Sequence, residues 1–442
     1  MDLSLDDVCE FINGGAWSDD EYAGDGIRVV KVTNMKNGTI SDEALDHLPV
    51  SKYEKYKRHE LRPNDLVVAT VGSHPNQPGS VVGRTSRIPE SFRGAFLNQN
   101  AACLRVKRPD LVDQRFLCFL SETILFKHHI ESRARGSANQ VRMAIGDLRQ
   151  FTTSYPPLPT QRKIAAVLAA YDDLIEANRR RIALLERMAE EIYREWFVRL
   201  RFPGHATTQI TKGIPTGWHV KKLREITEYY IGGGWGEDDA STSFSESAFV
   251  IRGTDIPKLE EGDFESCPYR FHKPSNLKSR TLQAGDFVFE VSGGSKDQLL
   301  GRNVQITDQL LKHLGAPVMC ASFCKQIRFD PQQVSSNFMR FFLKLYYTSD
   351  LVGIYQIQST GISNYQFESF LTYQTLLIPP VELRSQFDSI IKPIIESKDL
   401  LSVSTIKLRR TRDLLLPRLI SGKLPVEDLP IAFPPSMANA GE

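Results

Sequence analysis

The chain is written twice, and this constrains its fold more than any single motif does. Leu5-Asp-Asp-Val-Cys-Glu-Phe-Ile-Asn-Gly-Gly-Ala-Trp17 is answered by Leu223-Arg-Glu-Ile-Thr-Glu-Tyr-Tyr-Ile-Gly-Gly-Gly-Trp235, with matching character at nearly every position. Further along, Val29 to Met35 is answered by Val250 to Ile256, Leu61 to Val68 by Leu282 to Phe289, and Gly83-Arg84 by Gly301-Arg302. Tyr155-Pro-Pro157 is answered by Ile378-Pro-Pro380, and each proline pair opens a long helical pattern. A displacement of about 220 residues is domain-sized, far beyond the period of a solenoid. It implies two similar globular domains, each followed by a helix.

Within the domains, the runs from Asp65 to Val71 and from Asp286 to Val291 read as strands bounded by Gly and Ser. Phe116 to Phe126 and Phe338 to Tyr347 read as short buried helices. After Thr160 the apolar positions Ile164, Leu168, Tyr171, Ile175, Ile182, Leu185, Ala189, Ile192 and Trp196 step by fours and threes, broken only by Asn178. That is a coiled-coil seam sustained over more than four heptads, and one polar seam residue fixes register at a cost in stability. The second helix is less regular. Phe387, Ile394, Leu401, Leu408 and Leu415 recur every seven residues, with Ile391 and Leu419 on the same stripe and Lys398, Thr405 and Arg412 at the alternate positions. Pro393 and Pro417 should kink or interrupt it.

Helices of this length (about 60 Å for the first, at ~1.5 Å per residue) exceed the width of a small domain, so they pair with each other. The order domain–helix–domain–helix makes that pairing antiparallel. The expected architecture is mixed α/β (α+β), with a pseudo-twofold internal repeat. The first domain spans 1–157, the central helix 158–202, the second domain 203–379 and the C-terminal helix 380–424, with a disordered tail over 425–442.

Composition sets the remaining bounds. With 442 residues, 41% hydrophobic and 24% charged, the chain reads as globular and holds more than one core. No apolar run approaches a membrane span, and the N-terminus lacks the pattern of a signal peptide. The six cysteines form no C-x-x-C pair, so buried thiols in a reducing, cytoplasmic compartment are expected. A net charge of +2 gives only weak support for a nucleic-acid partner.

Two related heads on a rigid spacer nevertheless suit a ligand with two separated sites, and duplex DNA is such a ligand. The candidate contacts follow from side-chain chemistry. The loop before the first long helix carries Arg133, Arg135, Ser137, Asn139, Gln140 and Arg142, which suit phosphates, guanine and adenine edges. Its counterpart carries Ser359, Thr360, Ser363, Asn364 and Tyr365, keeping Gly, Ser and Asn without the arginines. The Gly/Ser loops after the strands add Ser73 in the first domain and Ser292, Ser295 and Lys296 in the second. Lys31 and Thr33, matched by Arg252 and Thr254, form a further pair, as do Arg84 and Arg302; Arg105 and Lys107 belong to a small basic cluster. Each surface charge taken alone is better explained as a solvated face. Trp17 and Trp235 follow glycines, where a core role outweighs exposure.

Two stretches carry a family resemblance. Pro157-Leu-Pro-Thr-Gln-Arg-Lys-Ile-Ala-Ala-Val-Leu168, continuing to Glu195-Trp-Phe-Val198, resembles the central helix of type I restriction specificity subunits. Leu414-Leu-Leu-Pro-Arg-Leu-Ile-Ser-Gly-Lys-Leu424 resembles the end of their second helix, whereas Pro380-Val-Glu-Leu-Arg-Ser-Gln386 is a degraded copy of the first motif. The resemblance implies two target recognition domains, each reading one half of an asymmetric bipartite site in double-stranded DNA. It further implies that the helices dock two methyltransferase (modification) subunits and that the assembly recruits translocating nuclease (restriction) subunits. S-adenosylmethionine, ATP and Mg²⁺ are then ligands of those partners, with no cofactor, metal or catalytic residue expected in this chain. The sequence agrees. It has no G-x-x-x-x-G-K-[ST] loop and no N-P-P-aromatic segment, and its one Glu-x-Lys triplet, Glu396-Ser-Lys398, falls on the second helix. A single-chain DNA methyltransferase or nuclease, and a two-headed scaffold that binds proteins, are the alternatives.

Overall fold

The computed structural model describes residues 2–36, 38–73, 81–136, 141–293, 298–358 and 361–437. The chain divides into two compact units. One comprises Met1–Asp173 with Arg409–Glu442, the other Leu174–Leu408, so each unit is built from parts of both long helices.

The first unit is organised on a four-stranded antiparallel sheet in the order Cys9–Asn13, Ala101–Val106, Leu66–Ala69, Thr85–Arg87. Leu66-Val-Val-Ala69 is β-branched at its centre and buried along its whole length, as a strand covered on both faces requires. A three-stranded sheet follows, in the order Phe96–Leu97, Ile27–Val30, Asp46–Leu48, its first pair parallel. Asp2–Ser4 pairs with Thr152–Ser154 and closes the unit at the base of the long helix.

The second unit repeats this plan. Its four-stranded sheet runs Thr227–Gly232, Cys324–Phe329, Phe287–Glu290, Asn303–Gln305, and its three-stranded sheet Val318–Cys320, Glu246–Ile251, Tyr269–His272. His219–Lys222 pairs with Thr375–Ile378 as the closing strands.

The repeat needs one correction. A bulge between Thr227 and Tyr229 inserts a residue, so the match between Leu5–Trp17 and Leu223–Trp235 slips by one beyond it. Gly14 and Gly15 donate to the carbonyls of Ala101 and Leu97, and the residues making the equivalent bonds, to Cys324 and Cys320, are Gly233 and Gly234. A Cβ at Gly14 would overlap the Asn98 carbonyl, and one at Gly233 the carbonyls of Cys320 and Ala321, so only glycine fits either turn.

The expected helix at Phe116–Phe126 is two helices, Gln114–Ser121 and Ile124–Glu131. Thr123 divides them because its hydroxyl accepts from the Phe126 N–H and caps the second. The first long helix runs Leu158–Tyr193 and continues as a π-helical turn over Arg194–Val198. Ile164, Leu168, Ile175, Asn178 and Ile182 are buried along it, while Tyr171, Leu185 and Ile192 are half-buried.

The second helix, Val381–Ile420, is not interrupted at Pro393 or Pro417. Both prolines are exposed, where water satisfies the freed carbonyls. Its buried stripe is not the one that the seven-residue spacing marks. Phe387, Ile391 and Leu419 are buried as expected, but Ile394, Leu401, Leu408 and Leu415 are only half-buried, while Lys398 and Thr405 from the alternate positions are buried. A straight α-helix drifts by about 20° per heptad, and an acid on the facing helix draws Lys398 inward.

Each unit shows the antiparallel pairing within itself. In the first, Asp172 meets Arg412 at 2.7 Å, and Ile164 and Leu168 share one core with Leu416 and Leu419. In the second, Glu186 meets Lys398 at 2.7 Å while the Tyr193 and Phe387 rings lie 6.1 Å apart.

The tail expected to be disordered packs through residue 437. Val426 and Met437 are buried in the core of the first unit, and Arg115 donates to the Ser436 hydroxyl at 3.1 Å. Scattered apolar residues without periodicity still cover a hydrophobic surface when one is offered. All six cysteines are free and buried, and burial pushes the Cys9 and Cys118 thiols up to about 12.

Candidate nucleic-acid interface

In each unit a small β-ridge rises beside the central sheet, made where two candidate loops meet. In the first, Val71–Gly72 pairs antiparallel with Val141–Arg142. Arg142 in turn exchanges both backbone hydrogen bonds with Arg135, at 2.9 and 3.0 Å. In the second, Ser292–Gly293 pairs with Ser363–Tyr365, which pairs with Gln356–Gln358. The loop after the strand and the loop before the long helix are thus one surface in each unit, which the sequence did not reveal.

Side chains alternate across a strand, so directly opposed residues share a face. The row Val71, Arg142, Arg135 crosses the first ridge, with both arginines exposed and neither forming an ion pair with a described residue. Like charges placed directly opposite each other repel unless an anion lies between them. Arg133 stands nearby, half-exposed, donating to the Ser132 hydroxyl at 3.2 Å. The corresponding row of the second ridge is Ser292, Asn364, Ile357. Asn364 and Ile357 are exposed, and the Ser292 hydroxyl donates to the Asn364 Oδ1 at 3.0 Å.

Alternation also removes two candidates from the surface. Ser363 and Tyr365 face inward, and the Tyr365 ring lies 5.2 Å from Phe289 and 5.5 Å from Phe370. Ser137, Asn139, Gln140, Ser295, Lys296, Ser359 and Thr360 lie outside the described residues.

The other basic candidates each have a partner within the protein, and Arg105 and Arg302 are largely buried. Arg105 makes two hydrogen bonds to the buried Asp65, at 2.9 and 2.7 Å, and a third to the Glu60 carbonyl at 3.1 Å. Its counterpart Arg328 grips the buried Asp286 at 2.6 and 2.8 Å. Each aspartate also accepts the backbone N–H three residues before it, from Arg62 and Gln283 respectively, so one Asp–Arg clamp serves each domain. The pairings of Asp65 with Arg105 and of Asp286 with Arg328 span 40 and 42 residues, a near-repeat that the duplication could have signalled.

Arg252 is bidentate on Asp255 at 2.9 and 2.8 Å, and Arg302 bonds the buried Glu290 at 2.8 Å. Lys31 forms an ion pair with Asp46, its ammonium 4.4 Å from the centre of the Tyr22 ring. Arg84 donates to the Met35 carbonyl at 2.9 Å and Lys107 to the Asp6 carbonyl at 2.6 Å. Thr33 and Thr254 are exposed on matched turns, and the Ser73 hydroxyl accepts the Val81 N–H at 3.3 Å beside the first ridge. Trp17 packs against Tyr56 with ring centres 5.3 Å apart, whereas Trp235 is partly exposed beneath the Arg270 guanidinium.

Among the described residues no group of His, Cys, Asp and Glu is placed to hold a metal ion, and no helix is long and apolar enough to cross a membrane.

Comparison with known proteins joins these observations. Residues 1–187 match the family model described as the type I restriction modification DNA specificity domain. The type I restriction enzyme MjaIX specificity subunit of Methanocaldococcus jannaschii is 24% identical over 365 residues, covering 80% of this chain and 79% of that one. The MjaVIII specificity subunit of the same organism is 25% identical over 191 residues, 43% of each chain. The crystal structure of the type I restriction–modification S subunit from M. genitalium superposes with a TM-score of 0.56 at 13% identity, covering 95% of this chain and 96% of that one, a likeness of fold. The comparisons thus identify residues 1–187 as a type I restriction modification DNA specificity domain, and over most of its length the chain is similar to specificity subunits of type I restriction–modification systems.

Proposed function

We propose that each domain reads one half of an asymmetric, bipartite DNA target through its ridge, and that the paired long helices set the spacer between the halves. The observation that supports this is the ridge itself: one backbone frame appears at the same place in both domains, carrying unlike outward rows. Identical frames place a reader against the duplex in the same way, and unlike side chains make the two halves differ.

The helices dock two methyltransferase subunits, and the complex recruits the restriction subunits. Exposed Leu174, Leu184 and Met188 on the first helix, and Leu400 and Leu414 on the second, are the apolar surface such docking would cover. The chemistry then lies in those partners, with S-adenosylmethionine, ATP and Mg²⁺ as their ligands, and this chain supplies recognition.

Co-expression with the methyltransferase subunits, followed by methylation mapping of genomic DNA, tests the reading. Exchange of residues 1–157 for another first domain should change one half of the mapped site and leave the other intact. A change in both halves, or a target without two parts, overturns it.

A further inference from the structure

We propose that the second ridge reads the major-groove edge of a thymine, with Asn364 on its O4 and Ile357 on its C5-methyl group. This rests on the two-reader function above and adds the chemistry of one reader. Three observations carry it. First, Asn364 and Ile357 are directly opposed on neighbouring strands and both exposed, Ile357 by half of its surface, so they meet a ligand together.

Second, the Ser292 hydroxyl has the Asn364 Oδ1 at 3.0 Å as the nearer of its two acceptors, the Ser363 carbonyl being at 3.3 Å, and this contact turns the amide NH₂ outward. The row therefore presents a hydrogen-bond donor beside a branched apolar surface. Of the four bases, only thymine offers an acceptor next to a methyl group in the major groove; cytosine offers a donor there, and the purines carry no methyl.

Third, the equivalent positions of the first ridge hold Arg142 and Arg135, so these places face the ligand in both domains while their chemistry differs. Where the first ridge offers cations, the second carries none in its row and holds out an isoleucine with half of its surface uncovered.

The test uses the full chain assembled with its methyltransferase subunits and duplexes of the mapped target. Each thymine in the half that survives exchange of the first domain is replaced in turn by deoxyuridine, which lacks only the methyl group. At one thymine, affinity should fall about fourfold, the value of one buried methyl group. Ile357→Ala should weaken binding to the unmodified target and abolish that penalty, while Asn364→Asp, which replaces the donor with an acceptor, should lower affinity at least tenfold. The deoxyuridine scan on the unaltered protein decides the matter even if a variant fails to fold. Site-specific binding indifferent to every thymine methyl in that half overturns the ridge assignment alone, as does a penalty that persists in Ile357→Ala. Absence of any site-specific binding by the complex overturns the two-reader function itself.

Discussion

The Lys398 ammonium lies 2.7 Å from the Glu186 carboxylate where the two long helices pair in the second unit, Lys398 buried and Glu186 largely so. Arg340 and Lys344 reach the same carboxylate at 3.1 and 2.8 Å, so three cations share one acid. Burial opposes ionisation of Glu186, yet the attraction of Arg340, Lys398 and Lys344 outweighs it and holds the carboxyl far below the usual carboxylate range. Glu186→Ala strands buried charge and should destabilise the second unit by about 3–5 kcal/mol. Because the folded-state pKa is depressed, the stabilisation from this site is full above the unfolded carboxylate value and lost as pH falls below it. Denaturant titrations of wild type and variant at pH 7 and pH 3 check both statements; equal stability at pH 7 would refute them.

The first unit reverses the ratio, one cation between two acids. Here the second helix brings a cation, Arg412, to Asp172 at 2.7 Å and to Glu122 at 3.8 Å. Burial pushes the Glu122 carboxyl up to about 7, with the Arg412 guanidinium opposing the shift. A raised carboxyl pKa means that the folded state holds its proton more tightly than the unfolded state, so stability falls as pH rises from the ordinary carboxylate value to about 7. Glu122→Gln should therefore add about 1–2 kcal/mol at pH 8 and change little at pH 5. Thermal unfolding at the two pH values measures this, and an equal effect at both would sink it.

Arg135 and Arg142 stand opposite each other without an ion-pairing acid among the described residues. Replacement of both by alanine should weaken DNA binding by the assembled complex and flatten its dependence on log salt by about two phosphate contacts. Equilibrium binding across a salt series gives the slope. Weakened binding with an unchanged slope would assign the pair to base contacts instead.

The clamps offer a domain-specific lesion. Asp65→Ala removes the partner of Arg105 and of the Arg62 N–H, and Asp286→Ala removes those of Arg328, Gln326 and the Gln283 N–H. Each should cost about 2–4 kcal/mol, confined to its own unit. Hydrogen exchange resolved along the sequence shows where protection is lost; spread of the Asp65→Ala effect into 203–379 would contradict the assignment.

The parts legible in the sequence were those with a period or a copy. The 4–3 spacing from Ile164 to Ile192 marked a seam that the structure buries or half-buries, and the repeat marked equivalent strands such as Leu66–Ala69 and Phe287–Glu290. Partnership was not legible. Arg105, Arg252 and Arg302 have the same letter as Arg135, and only three-dimensional neighbours separate a clamp from a free charge. The inward turn of Tyr365 depended on strand phase, which a short segment does not declare. Lys398 looked like a gap in an apolar stripe because its compensating acid, Glu186, lies 212 residues away.

The Asp65–Arg105 and Asp286–Arg328 clamps lie in the sheets, while the outward rows stand on separate ridges. What secures the scaffold is therefore chemically uncoupled from the rows proposed to meet DNA. A lineage under pressure to recognise new DNA could rewrite Arg135, Arg142, Ile357 or Asn364 without renegotiating the interior, so preference would diverge quickly across a frame that stays put.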